Sequence, residues 1–140
     1  MSKLTKADYP LAETRPEAIR GKRGIALGDI TLASVLTGEV TMADLQITPR
    51  ALQDQAEIST DAGRVSLALN FQRAAELVDV PQDLIMSTYE LLRPGRARSA
   101  QELHDRATLL RDQHGAMQIA DFITEAADIY EKRGLFTRRY

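Results

Sequence analysis

Cysteine is absent from this 140-residue chain. That excludes disulfide frameworks, thiolate nucleophiles, zinc knuckles and iron–sulfur ligation together, and it suits a reducing compartment. Tryptophan is also absent, and aromatic residues make up only 5%, which leaves few platforms on which bases or sugars could stack. No run approaches the roughly 18 apolar residues of a membrane span, and residues 1–20 contain no apolar core of a secretory leader. Neither sign of charge dominates: 18 Lys and Arg face 20 Asp and Glu, for a formal charge of -2. This is the wrong balance for a protein that neutralises phosphates. Together these absences predict a soluble, cytoplasmic chain that engages neither nucleic acid nor membrane.

What the chain does contain is aliphatic and helical in period. It is 44% hydrophobic, and 140 residues suffice for one compact unit with a real core. Pro10, Pro16, Gly21, Gly24 and Gly28 punctuate the first 28 residues around the basic run Arg20-Gly21-Lys22-Arg23, which reads as an extended N-terminal arm, residues 1–28. From residue 29 to 140 the pattern predicts a mainly α, compact helical domain. A short helix spans Thr31–Leu36 and stops at Gly38, and another turn covers Thr41–Leu45. Thr48-Pro49 supplies a hydroxyl N-cap and a proline at the first helical position, opening a long helix to about Asp79 that Gly63 can split in two. Ile58, Ala62, Val65 and Leu69 form its expected buried stripe, with Ala68, Phe71, Ala75 and Val78 beside it.

Val80-Pro81 restarts the count. Leu84, Ile85, Thr88, Leu91 and Leu92 form the next inward face, and Arg93-Pro94-Gly95 ends it. Ser99 and Glu102 match a capping box ahead of Leu103, Ala107 and Leu110, and Gly115 closes that helix. The last helix carries Ile119, Phe122, Ile123, Ala126, Ile129 and Tyr130 and ends at Lys132, Arg133 and Gly134.

Catalytic chemistry is hard to find. His104 and His114, the only histidines, lie ten residues apart on one predicted helix, too far along its axis to chelate one ion together. Asp105, Asp112 and Asp121 sit among Arg106 and Arg111, which predicts exposed ion pairs rather than an acid and base pair. No serine has a nucleophile-elbow context, and no phosphate-cradling glycine motif occurs, Gly21-Lys22-Arg23-Gly24 having the wrong spacing. Catalytic, cofactor-binding and metal-binding residues are therefore not expected in this chain.

Two features suit binding instead. Tyr9, Pro10 and Leu11 form an aromatic-Pro-apolar cluster in a polar arm, which either folds back over its own helices or lies across another chain. Asn70 and Arg73 flank Phe71 on the long helix, with Glu76 further along, either facing solvent or bonding across an interface. We therefore take Tyr9, Pro10, Leu11, Asn70, Phe71 and Arg73 as candidate subunit-interface residues. A helical nucleic-acid-binding regulator, motivated by Arg93, Arg96 and Arg98 near a turn, and a stand-alone helical scaffold are the alternatives.

Asp8-Tyr9-Pro10-Leu11-Ala12, Asp29-Ile30-Thr31-Leu32 and Val35-Leu36-Thr37-Gly38-Glu39-Val40 resemble the N-terminal half of a known family. Ile47-Thr48-Pro49, the block Leu69 to Leu77, Val80-Pro81, and Tyr89 with Leu92-Arg93-Pro94 continue the match. The family is the small (gamma) subunit of adenosylcobalamin-dependent diol and glycerol dehydratases, and the resemblance runs from about Asp8 to Tyr130. Glu90 departs from it, standing where the family carries Asn.

The resemblance implies a heterohexamer with two copies each of large (alpha), medium (beta) and small subunits. Such a complex converts 1,2-propanediol or glycerol to the aldehyde plus water by a radical route. Adenosylcobalamin is then bound by the partner subunits, and the small subunit is helical, packs on the large one and supplies no catalytic residue. The alanine-rich extension that precedes the Asp-Tyr-Pro-Leu stretch in some relatives is missing here. This implies a glycerol-type or free cytosolic enzyme over one enclosed in a bacterial microcompartment.

Overall fold

Hydroxyl side chains and prolines start several helices at the positions predicted, and the resulting architecture is mainly α. The structure is a computed structural model that describes residues 3–136. In chain order the helices are α1 (Leu11–Thr14), α2 (Leu32–Leu36), α3 (Pro49–Asp61), α4 (Val65–Leu77), α5 (Gln82–Leu92), α6 (Ala100–His114) and α7 (Met117–Lys132). Single 3-10 turns lie at Lys6–Asp8, Pro16–Ala18, Leu27–Asp29 and Met42–Leu45. No strand occurs among the described residues, whose one isolated β-bridge joins Arg20 and Ala26. Contacts gather the chain into two compact units, Met1–Val78 and Asp79–Tyr140, a division that length alone does not reveal.

In the first unit α3 and α4 form an antiparallel hairpin. Thr48 accepts the Ala51 N–H at 3.1 Å to cap α3, as its sequence context requires. Gly63 adopts a left-handed φ of 73° and divides the predicted long helix. The Gly63 N–H then reaches the Thr60 carbonyl and the Arg64 N–H the Ser59 carbonyl at 2.8 Å, the bond pattern of a Schellman cap. This break also overturns the expected stripe. Ile58 is buried, but Ala62, Val65 and Leu69 are exposed, because reversal at Gly63 resets the helical phase and turns Ala68 and Ala75 inward instead.

The segment before α3 is fastened down residue by residue. Leu4 and Leu11 pack with Ile58 of α3, and Ile19 lies against them. The Leu4 and Lys6 N–H groups, two residues apart, donate to the Glu57 and Asp61 carboxylates at 2.9 Å each. An extended segment repeats its N–H direction every second residue and a helix repeats its face every fourth, so two such bonds fix the register of one on the other.

In the second unit α6 and α7 form a hairpin around Gly115, whose φ is 64°. Leu103, Leu110 and Ile123 are its largest fully buried side chains, with Ala107, Ala116, Ala120 and Ala127 around them. The α6 face is the predicted one; of the predicted α7 residues Ile123 is buried and Ile119, Ala126 and Tyr130 are half-buried. Phe122 and Ile129 are exposed, because alanines at 116, 120 and 127 let the helix backbones approach closely and leave those two side chains outside.

The predicted capping box is half present. Ser99 accepts the Glu102 N–H at 3.4 Å, but the Glu102 carboxylate takes the Arg98 N–H at 2.7 Å. Arg106, expected to pair with aspartate, instead donates to Ser87 and Thr88 of α5 at 2.9 and 2.7 Å. Arg111 meets Asp121 at 2.6 Å in an exposed ion pair, as predicted, and the Tyr130 hydroxyl donates to the Leu92 carbonyl.

Candidate subunit interface

Tyr9 stands out from a braced bend. The Asp8 carboxylate accepts the Thr5 N–H at 2.8 Å and pairs with Arg15 at 2.7 Å, and the Asp8 carbonyl accepts the Thr14 hydroxyl at 2.6 Å. The Thr5 N–H, aided by Arg15, holds the Asp8 carboxyl below the usual carboxylate range. Between these braces the Tyr9-Pro10 bond is cis, Tyr9 is 62% exposed, and Leu11 is buried beside Leu4 and Ile58. Leu11 is thus the anchor of the cluster, Pro10 is half-buried, and Tyr9 is its outward group.

Asn70, Phe71 and Arg73 lie on α4, opposite or flanking its buried alanines. Asn70 is exposed and Phe71 and Arg73 are half-buried. Val65 and Leu69, both exposed, precede Arg73 at four-residue intervals, which places an apolar edge beside the polar one. The two candidate groups are on different elements, and α3 packs against both the Lys6–Asp8 turn and α4.

A third surface escaped the sequence reading. Between Leu32 and Ile47, six large apolar residues lie open: Leu32, Val35, Leu36, Met42, Leu45 and Ile47, with Leu36 78% and Met42 76% exposed. Of the three buried positions in this segment, Val40 is apolar and the other two are polar. Ser34 is buried, donating to the Asp29 carbonyl at 2.8 Å and accepting the Thr31 N–H at 2.9 Å. Asp44 is buried beneath the next turn, where it accepts the Thr41 N–H at 2.9 Å and a two-point contact from Arg23, Nε to Oδ1 at 2.9 Å and Nη2 to Oδ2. The signal was available: in the Leu32–Leu36 helix, Ser34 sits where an inward apolar residue would normally be, and a polar residue that caps its own helix is drawn inward.

The Arg23 contact also decides what the basic Arg20–Arg23 run does. Its turn closes through Gly21 N–H to Ile25 carbonyl and Gly24 N–H to Gly21 carbonyl, both 2.8 Å, and Arg23 is committed to a carboxylate and to the Glu39 carbonyl at 2.7 Å. Gly21 is required there, since a Cβ would lie 2.8 Å from the Asp44 carbonyl oxygen. Arg23, followed by the Thr41 N–H, holds the Asp44 carboxyl down to about 2, against an ordinary 3.8. Its contribution to stability is therefore complete above the ordinary carboxylate range and is lost as pH falls from about 4 through 2. Arg23→Gln is expected to lower the melting temperature at pH 6, with the difference from the unmutated chain shrinking toward pH 2. Melting curves at both pH values check this, and a difference that does not change with pH would contradict it.

The remaining chemistry candidates do not converge. His104 and His114 are half-buried on α6, and no group of three or more His, Asp or Glu among the described residues could hold a metal ion. Glu90 pairs with Arg93 at 3.1 Å and Arg96 at 3.8 Å, which offsets the charge a nucleic-acid-binding turn would need. No helix among the described residues is long and apolar enough to cross a membrane.

The described surface thus carries an outward aromatic on a braced bend, an apolar edge on α4 and open apolar residues between Leu32 and Ile47. The dehydratase small subunit family model matches residues 4–137, and the chain belongs to that family. Among its relatives, the propanediol dehydratase small subunit of Citrobacter freundii is 46% identical over 126 residues, spanning 90% of this chain and 73% of that protein. The propanediol dehydratase small subunit of Salmonella typhimurium is 45% identical over 127 residues, 91% of this chain and 73% of the relative.

Proposed function

We propose that this chain is the non-catalytic small subunit of an adenosylcobalamin-dependent diol dehydratase, a hydro-lyase acting on 1,2-propanediol or glycerol in the cytoplasm. The observation that carries the proposal is the family match across residues 4–137, supported by two relatives named for propanediol dehydration. Large and medium subunits, two copies of each with two of this chain, complete the complex. Residues 1–28 serve as an arm presenting Tyr9 and Pro10 over Leu11, and residues 29–140 as the helical portion presenting Asn70, Phe71 and Arg73.

Among the described residues, one depression lined by Lys3, Gln53, Ala56, Glu57 and Gln72 and one lined by Ile25, Asp29, Thr31, Ala33 and Glu39 are open rather than enclosed. On the family reading, cofactor and substrate are assigned to the partner subunits, and this chain's part is assembly.

The test is co-expression of the tagged chain with its genomic neighbours, followed by an adenosylcobalamin-dependent aldehyde assay on what co-purifies. Two larger chains and aldehyde formation are the expected result; a chain that purifies alone would refute the reading. Tyr9→Ala, Phe71→Ala and Arg73→Ala are each expected to weaken assembly by about 2 kcal/mol, roughly 30-fold in affinity, while turnover per assembled complex stays unchanged. A normal subunit ratio on size-exclusion chromatography of dilute protein, with full activity, would remove those residues from the interface.

A further inference from the structure

Residues 3–24 are held to the rest of the first unit mainly at their two ends and at one small apolar cluster. We propose that this segment is a strap that opens and closes as one unit over α3 and the Met42–Leu45 turn, with a carboxylate latch at each end.

The strap buries little. Its regular structure is limited to the 3-10 turns Lys6–Asp8 and Pro16–Ala18 and the four-residue α1. Leu4 and Leu11 are its buried residues, with Ile19 half-buried against them. Ordering such a segment costs backbone entropy at every residue, which two leucines on Ile58 offset poorly. The α3–α4 hairpin, by contrast, buries Leu52, Ala56, Ala68 and Ala75 along two 13-residue helices. The segment with few buried contacts is the one that yields first.

The latches close long stretches of chain. At one end the Leu4 and Lys6 N–H groups donate to Glu57 and Asp61 of α3 at 2.9 Å each, across 53 and 55 residues. At the other, Arg23 donates to the buried Asp44 carboxylate and to the Glu39 carbonyl at 2.7 Å. Hydrogen bonds to an ionised acceptor are stronger than neutral ones, which makes both ends firm holds. Bonds inside the strap join its parts: Asp8 pairs with Arg15 at 2.7 Å, and the Asp8 carbonyl accepts the Thr14 hydroxyl at 2.6 Å. Each latch also keeps the other's groups near their acceptors. Releasing one lengthens the free chain that the other must close and lowers its effective concentration. That coupling joins the two ends into a single opening.

Tyr9 projects from the strap, 62% exposed, and opening withdraws it from its fixed position. A chain that binds Tyr9 in place binds the closed form and shifts the strap toward closure. This consequence rests on the interface reading above, whereas the strap rests on its own contacts.

The experiment is native-state hydrogen exchange on the full free chain at neutral pH. Arg23→Gln breaks one latch, and the double variant Glu57→Ala with Asp61→Ala breaks the other while leaving α3 with good helix formers. In the unmutated chain the Leu4, Lys6, Arg15 and Gly21 amides are expected to share one opening, at least about tenfold more frequent than that of the Ala56 and Ala68 amides. Arg23→Gln should speed exchange at Leu4 and Lys6 about tenfold, and the α3 double variant should do the same at Gly21 and Gly24, with α6–α7 amides unchanged. Acceleration confined to the mutated end would refute the strap, and so would exchange of its amides only together with the α3–α4 hairpin. Should a variant fail to fold, the denaturant dependence of exchange in the unmutated chain decides. One slope shared by Leu4, Lys6, Arg15 and Gly21, shallower than that of α3–α4, is expected, and different slopes at the two ends would overturn the proposal. Every reading is taken on the free chain, so failure of the strap leaves the small-subunit reading standing.

Discussion

Leu110→Ala is expected to destabilise the C-terminal unit by about 3 kcal/mol, within the 2–5 kcal/mol typical of deleting a fully buried leucine side chain. Leu110 lies with Leu103 and Ile123 in the α6–α7 seam, where none of the three is more than 1% exposed. The other buried residues of the seam are small: Ala107, Ala116, Ala120 and Ala127 are also at most 2% exposed. An alanine has no rotamer with which to fill a void, and helices already held close by small residues have little room to close further. Most of the cavity penalty should therefore persist. The control is Ile129→Ala on the outer side of α7, where 37% exposure leaves less to lose and the expected effect is below about 1 kcal/mol. Urea unfolding of the two variants, with equal slopes, measures the contrast; equal midpoints would show that the seam is not where the stability of this unit lies.

Ile58→Ala is expected to cost about 2–4 kcal/mol, and its consequence extends to the interface. Ile58 is the α3 contribution to a small cluster whose other members, Leu4, Leu11 and Ile19, all belong to the N-terminal segment. Removing it withdraws the apolar support under Leu11, and the two backbone-to-carboxylate bonds at Leu4 and Lys6, worth about 1 kcal/mol or somewhat more each, are too few to hold the segment against its conformational entropy. Hydrogen exchange should accelerate at amides between Leu4 and Ile19 more than in the α6–α7 hairpin. Affinity for the larger subunits should fall as well, although Ile58 itself is buried, because Tyr9 loses its fixed position. Unchanged exchange in that segment would mean that the braces around Asp8, not the cluster, hold it.

The predicted elements show where sequence reasoning succeeded. Thr48-Pro49, Gly63, Gly115 and the Leu103-Ala107-Leu110 stripe were legible because each acts through its immediate neighbours: a hydroxyl reaches an N–H three residues on, and a glycine alone tolerates a left-handed turn. Period 3.6 then places the α6 core face correctly, since that helix is uninterrupted. The errors lie where a longer range decides. Of the α7 residues read from the sequence, Ile123 is buried but Phe122 and Ile129 stay outside, because alanine contact between neighbouring helices outweighs the burial of those two one by one. Val65 and Leu69 left the stripe of Ile58 once Gly63 reversed the chain.

The candidate interface divides in the same way. Tyr9, Pro10 and Leu11 are conspicuous as a local cluster, and the block around Phe71 carries the family resemblance, so both were visible in the sequence. That Leu11 anchors while Tyr9 projects depends on Leu4 and Ile58, and no local rule links residues so far apart. The outward face of Leu32 to Ile47 was invisible because apolar residues in a short helix ordinarily point inward. By itself the sequence determined the helical class, most helix ends and the family, all of which follow from local bonding and residue order. Only the tertiary structure decided which apolar faces were buried and which remained open, because that choice depends on distant segments such as Arg23 with Asp44 competing to cover the same surface.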